Sequence, residues 1–565
     1  MNDHRRRWAK HRRDTFLAAL RDDAVVTERV RVRIEELRAE AKLRTGPPVD
    51  PVPRGGAMEI DSEQFYEMNG IPTEGAANQQ IAKLLRPVRE FCGRFSRKEA
   101  PPMEDALAIV PALKALEDAL RSSEPGATSD ELVHTGYGYL VEAAAKIAGV
   151  SELDAKTGLG ILVQRTLNAG VSAHWPEEGA DDAHFEGGWG SLPGRIDAAE
   201  GLLSLFANPS FDQGHILANL RVLAKDRLPV VRFQIAWRLM ELYERALAAM
   251  WELLESLAVD PNYRIRLEVI DKLNQWLARP HPARALAIVV DMLEEAGTAL
   301  GKPEEVATAC IACLTGYYLW RDDPTAKAAI EEMVEGLPGN AHDAGKVFPT
   351  LREALKYVEP GDMERALRAR ARAAELFNRI VGKAVPPMRE LIAKRLRRES
   401  LTEEEQRRFE NLEHLLVVSG SELYFASGAF QEHRYALPPV LTKPEQTELF
   451  HALAQSWDLL VEIGAPGLVH HVVQTLEMFA PIDPGRVFLL IGRSILAGKL
   501  WRYQFESEAV DLVVRIIRTY IAEHRSIFEK NPECLRVLRE LLDLFITAGW
   551  PSARVAAYRV DEVFR

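Results

Sequence analysis

The sequence predicts an all-α fold, namely an α-solenoid in which antiparallel helix pairs stack on one another. The first observation is a repeat, because LAKDRLPVVRFQIAWRL at 223–239 is followed in the same frame by LAVDPNYRIRLEVIDKL at 257–273. The spacing of 34 residues is the length of one helix–turn–helix unit. The second observation is that apolar residues recur at helical spacing, while residues 58–172 contain no alternation long enough to demand a sheet.

Each unit is predicted to contain two helices joined by a short turn. The first helix, at 215–225, carries apolar residues on one side, and the sequence DRLP at 226–229 ends it. Pro229 suits the first turn of the second helix, where a missing N–H group loses no helical hydrogen bond. Because the apolar stripes cannot be buried within a single unit, neighbouring units must stack.

The pattern D-x-x-P-x-V-R-x-x-x-A occurs at 226–236 and resembles the core of a HEAT repeat at every defined position. The segment 260–270 matches it more loosely, since Tyr263 replaces the proline and Ile270 replaces the alanine. A degenerate third unit is predicted at Pro303–Leu314. The resemblance implies a scaffold or binding surface. It also implies a structural role for charged residues that bridge neighbouring repeats, namely Asp226, Arg232, Asp260 and Arg266.

Length, charge and cysteine content limit the function classes. A chain of 565 residues is too long for one hydrophobic core and predicts several domains or one extended array. A formal net charge of −12 argues against broad affinity for nucleic acid or for an anionic membrane. Four cysteines in so long a chain do not form a disulfide framework, and neither a signal peptide nor a membrane-spanning segment is expected. We therefore expect a cytoplasmic protein without membrane association.

Shifts in composition divide the chain into predicted segments. A Pro/Gly-rich stretch at 46–56 follows a basic N-terminal region, and a long irregular stretch interrupts the helical pattern after residue 172. The predicted segments are a basic helical arm with its linker at 1–56, an N-terminal helical region at 57–172, an irregular loop at 173–196, a HEAT-like repeat region at 197–360 and a C-terminal helical region at 361–565.

The irregular loop combines histidines, carboxylates, tryptophans and an arginine. One interpretation is a partner-binding loop that uses Trp175, His184, Trp189 and Arg195. A second is a divalent metal site, although the spacing of its histidines and carboxylates matches no defined ligand motif. A structural crossover is the third. If the chain is an enzyme of an unrecognised class, we expect the active site at 173–195.

The most basic stretch lies at 365–398 and is predicted to form long charged helices broken in two at Pro386 and Pro387. Its positive face supports an alternative function, a nucleic-acid-binding module, together with the basic cluster at 5–13. An ordinary amphipathic helix explains the same pattern, because apolar residues recur between the arginines. The residues assigned to the nucleic-acid alternative are Arg368, Arg372, Arg379, Lys394, Arg395, Arg397 and Arg398.

No catalytic signature stands out, so the chain is predicted to be non-catalytic and to need no cofactor. Gly492–Lys499 fails as a phosphate-binding loop, because five residues separate its glycines and Leu500 replaces the hydroxyl that binds magnesium. GTALGKP at 297–303 fails in spacing and in its final residue. Cys310 and Cys313 lie in an apolar helical run without a second cysteine pair, which predicts a buried core pair rather than a zinc site.

The C-terminal helical half is similar, more weakly, to the helical portions of large bacterial NTPase-associated proteins, including phage-defence systems. In those proteins a solenoid serves sensing or assembly, and a separate P-loop part hydrolyses nucleotide. The resemblance therefore implies an NTPase or nuclease subunit as the partner. The predicted function is a non-catalytic helical-repeat scaffold that binds a protein partner in a cytoplasmic bacterial assembly such as a defence system.

Overall fold

The structure is a computed structural model, and it describes Tyr66 and residues 71–95, 99–123, 127–172, 194–356, 363–430, 441–503 and 507–551. Within these ranges every regular element is a helix, and an isolated β-bridge joins Asn262 to Leu300. The predicted all-α class is therefore confirmed. Among the described helices, none combines the length and apolarity that a membrane crossing requires.

The chain divides into two compact units. The first comprises 1–99 and 111–136, and the second comprises 100–110 and 137–565. The earliest described helices are α1 (Ala76–Arg94), α2 (Met103–Ala108), α3 (Val110–Arg121) and α4 (Asp130–Ala148). Within the first unit, Oδ1 of Asn78 accepts a hydrogen bond from the backbone N–H of Ser129 at 2.9 Å, which holds the start of α4 beside α1.

The second unit contains helix pairs stacked in series between residues 194 and 321. After α5 (Gly158–Val171), α6 (Gly194–Phe206) begins the series, so the last residues of the loop predicted at 173–196 are helical. Helices α6, α8, α10 and α12 pack side by side in that order, and the two helices of each pair contact each other. The pairs are α7 (Gln213–Leu223) with α8 (Pro229–Arg238), α9 (Leu247–Ala258) with α10 (Tyr263–Lys272), and α11 (Pro282–Glu294) with α12 (Pro303–Arg321).

The starts of the second helices follow from their first residues. Pro229 and Pro303 occupy the first positions of α8 and α12, where a residue without an N–H group is tolerated. Tyr263 stands at the equivalent position of α10. There the side chain of Asn262 caps the helix by accepting a hydrogen bond from the N–H of Arg264 at 2.9 Å. Different local chemistry therefore produces the same helix start in successive units.

The series continues into a long helix. Helices α13 (Pro324–Glu335), α14 (Ala341–Gly345) and α15 (Phe348–Lys356) lead to α16 (Met363–Leu396) and α17 (Glu403–Ser427). Helix α16 packs on α12 and so extends the row of second helices.

The prediction that Pro386 and Pro387 break this segment in two is wrong, because α16 is helical before, across and after them. Each proline leaves a carbonyl one turn earlier without its helical donor. The helix nevertheless packs against α12, α15, α17 and α19 along its length, and this burial outweighs the lost hydrogen bonds. Buried apolar residues on either side of the prolines include Ile380, Val381, Ala384, Met388 and Leu391.

The remaining helices extend the core beyond α17. Helix α20 packs on α17 and α21, and α24 packs on α21. The described helices of this region are α18 (Lys443–Ala452), α19 (Ala454–Leu460), α20 (Pro466–Met478), α21 (Pro484–Gly498), α22 (Ser507–Glu523), α23 (Ser526–Lys530) and α24 (Pro532–Thr547).

Helix packing is tight at Gly464, in the turn before α20. A Cβ atom there would lie 2.2 Å from the carbonyl oxygen of Ala497 and 2.7 Å from Cδ1 of Trp501. We expect Gly464→Ala to lower the free energy of unfolding by about 1–3 kcal/mol, because a backbone carbonyl cannot rotate away from the added methyl group. Urea denaturation followed by far-UV circular dichroism measures the change.

Gly316→Ala, inside α12, is the matched control. No heavy atom lies within 4 Å of the Cβ position at this residue. We expect this variant to be more stable by roughly 0.5–1 kcal/mol, because alanine loses less backbone entropy than glycine in a helix. A loss of stability at Gly316 equal to that at Gly464 would contradict the packing argument.

Candidate functional site

A ladder of buried arginine–aspartate pairs runs through the turns that join the helices of successive pairs. Nε of Arg195, on α6, lies 2.7 Å from Oδ2 of Asp226, in the turn before α8. One unit later, the Arg232 guanidinium binds both carboxylate oxygens of Asp260, at 2.6 and 2.9 Å. The four side chains are between 4% and 10% exposed. Such buried charges are stable only when each finds its partner.

The arginines of the ladder also donate hydrogen bonds to backbone carbonyl groups of the turns. Nη1 of Arg232 donates to the carbonyl oxygen of Asp226 at 2.5 Å, and Nε of Arg266 donates to that of Asp260 at 2.6 Å. The turn inside the third pair, between α11 and α12, offers no aspartate to Arg266. Its guanidinium binds the carbonyl oxygen of Glu295 at 2.8 Å and the hydroxyl of Thr298 at 2.9 Å instead. Arg232 and Arg266 therefore each bind the turn of their own unit and that of the next.

The structural role predicted for Asp226, Arg232, Asp260 and Arg266 is confirmed, because these residues join neighbouring units. Each aspartate also organises its own turn. Oδ1 of Asp226 accepts from the N–H of Leu228 at 2.9 Å, and Oδ1 of Asp260 accepts from the N–H of Asn262 at 2.8 Å. An aspartate side chain can both pair with the arginine and organise the turn, because it is short enough to accept a hydrogen bond from the backbone N–H two residues later in the chain.

The structure assigns Arg195 a different role from the one predicted. The sequence pattern predicts Arg195 in a partner-binding loop, whereas it lies on α6, is 7% exposed and pairs with Asp226. A guanidinium in this position stabilises the fold and is not presented to a partner. The other residues of that prediction, Trp175, His184 and Trp189, lie outside the described residues.

The turns that precede α8, α10 and α12 border a groove of about 620 Å³, which we call the turn groove. Two aliphatic side chains on its border are exposed, Val259 at 57% and Leu300 at 67%. The Arg232–Asp260 pair of the ladder forms part of its wall. The lining residues are Ala224, Lys225, Asp226, Arg227, Pro229, Arg232, Ser256, Val259, Asp260, Pro261, Asn262, Tyr263, Leu300 and Gly301.

The backbone around Leu300 is held by the neighbouring turn. The N–H of Leu300 donates to the carbonyl oxygen of Pro261 at 2.6 Å, and the N–H of Tyr263 donates to that of Leu300 at 3.3 Å. The next residue, Gly301, has a φ of 94°, and a Cβ atom there would lie 2.7 Å from the Tyr263 ring. Only glycine fits this conformation at this distance. The exposed Leu300 side chain is therefore presented by a fixed backbone.

The exposed charges that line the turn groove are positive. Lys225 and Arg227 are exposed, whereas the carboxylates of Asp226 and Asp260 are taken up by the ladder. Acidic residues nearby form ion pairs of their own. These pairs are Glu252 with Arg221 at 2.8 Å, Glu255 with Arg284 at 2.6 Å and Glu305 with Lys302 at 2.6 Å.

The exposed residues of the turn groove were not predicted from the sequence. Val259 stands immediately before Asp260 in the turn, outside the buried helix stripe, which is a signal that can be read from the sequence. Leu300 belongs to GTALGKP, the segment considered only as a failed phosphate-binding loop. Nothing in the sequence brings these two residues to one groove, because their proximity arises from the stacking of the units.

The arginines assigned to nucleic-acid binding are mostly engaged with neighbouring helices. Arg372 binds the carbonyl oxygen of Leu319 at 2.8 Å and the carboxylate of Asp322 at 3.0 Å. Arg379 binds Glu331 at 2.9 Å and Glu335 at 3.3 Å, which ties α16 to α13. Arg368 pairs with Glu364 one turn earlier on α16.

The C-terminal members of the set lie where α16 meets α17. Lys394 pairs with Glu405, and Arg397 pairs with Glu399 at 2.5 Å. The guanidinium carbon of Arg395 lies 3.6 Å from the centre of the Phe409 ring. Arg398 takes up the left-handed conformation at the helix end, with a φ of 60°, and finds no ion-pair partner in the described part of the chain. The positive face predicted at 365–398 is thus largely neutralised by carboxylates.

A cluster of potential metal ligands lies where α12 and α14 meet. The ligand atoms of Glu304, His342 and Asp343 lie close enough together to share a metal ion. However, Nζ of Lys346 hydrogen-bonds Asp343 at 2.8 Å and also contacts Glu304, so an ammonium stands where a metal ion would bind. Hydrogen bonds from Lys346 and His342 lower the pKa of the Glu304 carboxyl. The cluster is therefore an ion-pair network between α12 and α14.

The cysteine pair and the rejected phosphate-binding segment are both helical. Cys310 and Cys313 are buried in α12 as predicted, and burial raises the pKa of both thiols to about 12. Thiols in this state are poor nucleophiles and poor metal ligands. Gly492–Lys499 lies within α21 and the turn that follows, which is not the conformation of a phosphate-binding loop.

Comparisons with known proteins assign no family. No protein-family model matches the chain, and no curated protein is similar to it. The function must therefore be inferred from the geometry of the turn groove and of the ladder beside it.

The ladder leads to a stability prediction. Asp260→Ala removes both carboxylate acceptors of Arg232 and leaves that guanidinium buried with backbone oxygens as its acceptors. We expect the free energy of unfolding to fall by about 3–5 kcal/mol, as for other buried ion pairs that lose one member. Urea denaturation measures the loss. The control is Glu252→Ala, which removes an exposed ion pair with Arg221. We expect the midpoint of urea denaturation of this variant to change little. Equal shifts in both variants would contradict a special role for the ladder.

The buried thiols lead to a reactivity prediction. All four cysteines are buried, and none of them forms a disulfide. We expect the folded chain to react slowly with Ellman's reagent at mildly alkaline pH, because reaction requires an exposed thiolate. The same reagent in denaturing urea should titrate four thiols rapidly. Rapid modification of Cys310 or Cys313 in the folded chain, located by mass spectrometry, would show that this helix opens in solution.

Proposed function

We propose that this chain is a non-catalytic helical-repeat scaffold that binds a protein partner through the turn groove. The observation that carries the proposal is the exposure of Val259 and Leu300 on the border of one groove. Single exposed aliphatic residues are common on protein surfaces, but their grouping at a concave site is typical of a binding surface. Tyr263 also lines the turn groove and adds an aromatic ring of the kind enriched at interfaces.

The rigidity of the turn groove supports this proposal. Arg232 is fixed by hydrogen bonds to Asp260 and to the carbonyl oxygens of Asp226 and Arg227. Leu300 is fixed by backbone hydrogen bonds to the adjacent turn. A surface that is ordered before binding loses less entropy when a partner arrives.

The carboxylates at the turn groove also favour binding over catalysis. A general base needs a carboxylate that can accept a proton from a bound substrate. Asp226 and Asp260 are each held by an arginine and by a backbone N–H group. A non-catalytic role is consistent with this arrangement. The ion pairs along α16, such as that between Arg379 and Glu331, likewise count against a nucleic-acid-binding function for that helix.

The identity of the partner is proposed on the weaker resemblance of the C-terminal half. That resemblance suggests a cytoplasmic bacterial assembly, such as a defence system, in which this chain binds an NTPase or nuclease subunit. In the proposed assembly this chain is the scaffold, and its partner carries out the reaction on nucleotide or nucleic acid.

Site-specific photo-crosslinking tests the proposed function. A photoreactive phenylalanine analogue is introduced at Val259 or at Leu300, and the chain is expressed in the cells from which it comes. We expect both positions to cross-link the same protein in a stoichiometric complex, because both side chains border the turn groove. Mass spectrometry identifies the protein and shows whether it is an NTPase or a nuclease.

Ile161, on α5, is the matched control position because it is 55% exposed and does not line the turn groove. We expect the analogue at Ile161 to give no such product. Cross-linking of the same protein from all three positions, or from none, would count against the turn groove as the binding surface.

A further inference from the structure

We infer that Ser400, in the turn between α16 and α17, is a phosphorylation site for a kinase that selects arginines two and three residues before the acceptor hydroxyl. The site lies outside the turn groove and is independent of the proposed function. A repeated sequence pattern, the exposure of the hydroxyl and the availability of the two arginines support it.

The residues around Ser400 follow a pattern that occurs twice in this chain. The segments RRESL at 397–401 and RRDTF at 12–16 each place two arginines, an acid, a hydroxyl residue and an apolar residue in the same order. Kinases select their substrates partly by the charges that flank the acceptor. Two arginines before the hydroxyl suit a kinase whose substrate groove carries carboxylates. Because the segment at 12–16 lies outside the described residues, the structural support comes from Ser400.

The acceptor itself lies where an enzyme can reach it. Helix α16 ends at Leu396 and α17 begins at Glu403, so all five residues of the pattern lie between the two helices. Ser400 is exposed, and no hydrogen bond engages its hydroxyl within the described residues. A kinase that surrounds this segment therefore has to open a turn and not the interior of a helix.

Both arginines of the pattern are available to such an enzyme. Arg398 is exposed and has no ion-pair partner in the part of the chain that the structure describes. Arg397 pairs with Glu399, but the two side chains are 58% and 47% exposed. Exposed ion pairs contribute little to stability. A carboxylate of the kinase can therefore replace Glu399 as the partner of Arg397.

Little backbone structure has to change when the turn opens. The three N–H groups of residues 397–399 donate to carbonyl oxygens in the last turn of α16, at 3.0 to 3.1 Å. Hydrogen bonds at an exposed helix end open more readily than those of a buried helix. The burial of α16 on its neighbours, which holds the rest of the helix, is not affected.

Thr402, a second hydroxyl in the same turn, is a poorer acceptor. Its Oγ1 accepts a hydrogen bond from the N–H of Glu405 at 3.2 Å and so caps the start of α17. The residues two and three positions before it are Ser400 and Glu399, so no arginine occupies either position. A kinase with the inferred preference should therefore modify Ser400 and leave Thr402 unmodified.

The reaction transfers the γ-phosphoryl group of a nucleoside triphosphate. The hydroxyl oxygen of Ser400 forms a bond to the γ-phosphorus, while the bond from that phosphorus to the bridging oxygen breaks. The nucleoside diphosphate leaves, and the hydroxyl proton passes to a carboxylate of the kinase. The modified side chain gains a charge of about −1.5 to −2 at neutral pH.

The structure also has room for the product. The residues on either side of Ser400, Glu399 and Leu401, line a pocket of about 540 Å³ together with Arg407. Arg407 is exposed and forms no ion pair with the described residues. Arginine binds phosphate through charge-assisted hydrogen bonds. Arg407 therefore offers the phosphate a partner that offsets the carboxylate of Glu403 in the same lining.

The inference is tested by incubating the purified full-length chain with magnesium, ATP and an extract of the cells from which the chain comes. Quantitative mass spectrometry locates each phosphate and measures its rate of incorporation. We expect phosphate on Ser400 and none on Thr402. Arg397→Gln with Arg398→Gln should lower the rate at Ser400 by about tenfold, because the charges that the kinase selects are lost. Arg397→Lys with Arg398→Lys should retain more of the rate, since both positive charges remain.

The matched control is Arg407→Gln with Arg408→Gln. It removes the same charge from an adjacent pair of arginines that lies after the acceptor. We expect the rate at Ser400 to change little in this variant. Ser400→Ala should abolish phosphorylation of the turn without transferring it to Thr402. Far-UV circular dichroism and the midpoint of urea denaturation establish that each variant is folded.

Two outcomes would overturn the inference. Phosphate on Thr402 in place of Ser400, or an equal fall in rate in the two glutamine variants, would refute selection by Arg397 and Arg398. If Ser400 carries no phosphate after incubation with the extract, and none in the chain purified from the same cells, it is not a phosphorylation site. Cross-linking from the turn groove does not depend on either outcome, so the proposed function is tested separately.

Discussion

The repeat region depends on the contact between a buried arginine of one unit and the turn of the next. A guanidinium that is removed from water needs acceptors for its N–H groups, and Arg232 finds them in both Asp226 and Asp260. Because one acceptor belongs to the unit's own turn and the other to the following turn, sliding one unit against the next would leave a buried charge without its partners. Apolar packing between α8 and α10 tolerates small shifts in register, whereas this polar contact does not.

The turn groove is a consequence of that contact. The ladder connects the turns before α8, α10 and α12. Residues on the outer sides of these turns therefore line the same groove. Val259 and Asp260 are adjacent in sequence, yet Asp260 is 5% exposed and Val259 is 57% exposed. The inward carboxylate and the outward aliphatic side chain follow from a single backbone conformation. The fold and its proposed binding surface therefore have the same physical origin.

The helix pairs and the ladder could be predicted because both recur with the 34-residue spacing, as Arg232 and Arg266 show. Arg195 escaped prediction because it precedes Arg232 by 37 residues and follows an irregular stretch. The continuity of α16 through Pro386 also escaped, since the local rule that proline ends a helix was overridden by burial on both sides. Exposure of Leu300 depends on which turn lies beside it, and no local pattern contains that information.

The arginine-rich helix and the turn groove show why a count of charges is a poor guide to binding. Helix α16 carries more arginines than any other described helix, but α12, α13 and α17 carry acceptors that match them, as Glu331 matches Arg379. The two carboxylates that line the turn groove, those of Asp226 and Asp260, are likewise paired with arginines of the ladder. What a partner meets is the charge that remains after internal pairing. The most basic helix of this acidic chain therefore serves mainly to hold the fold together.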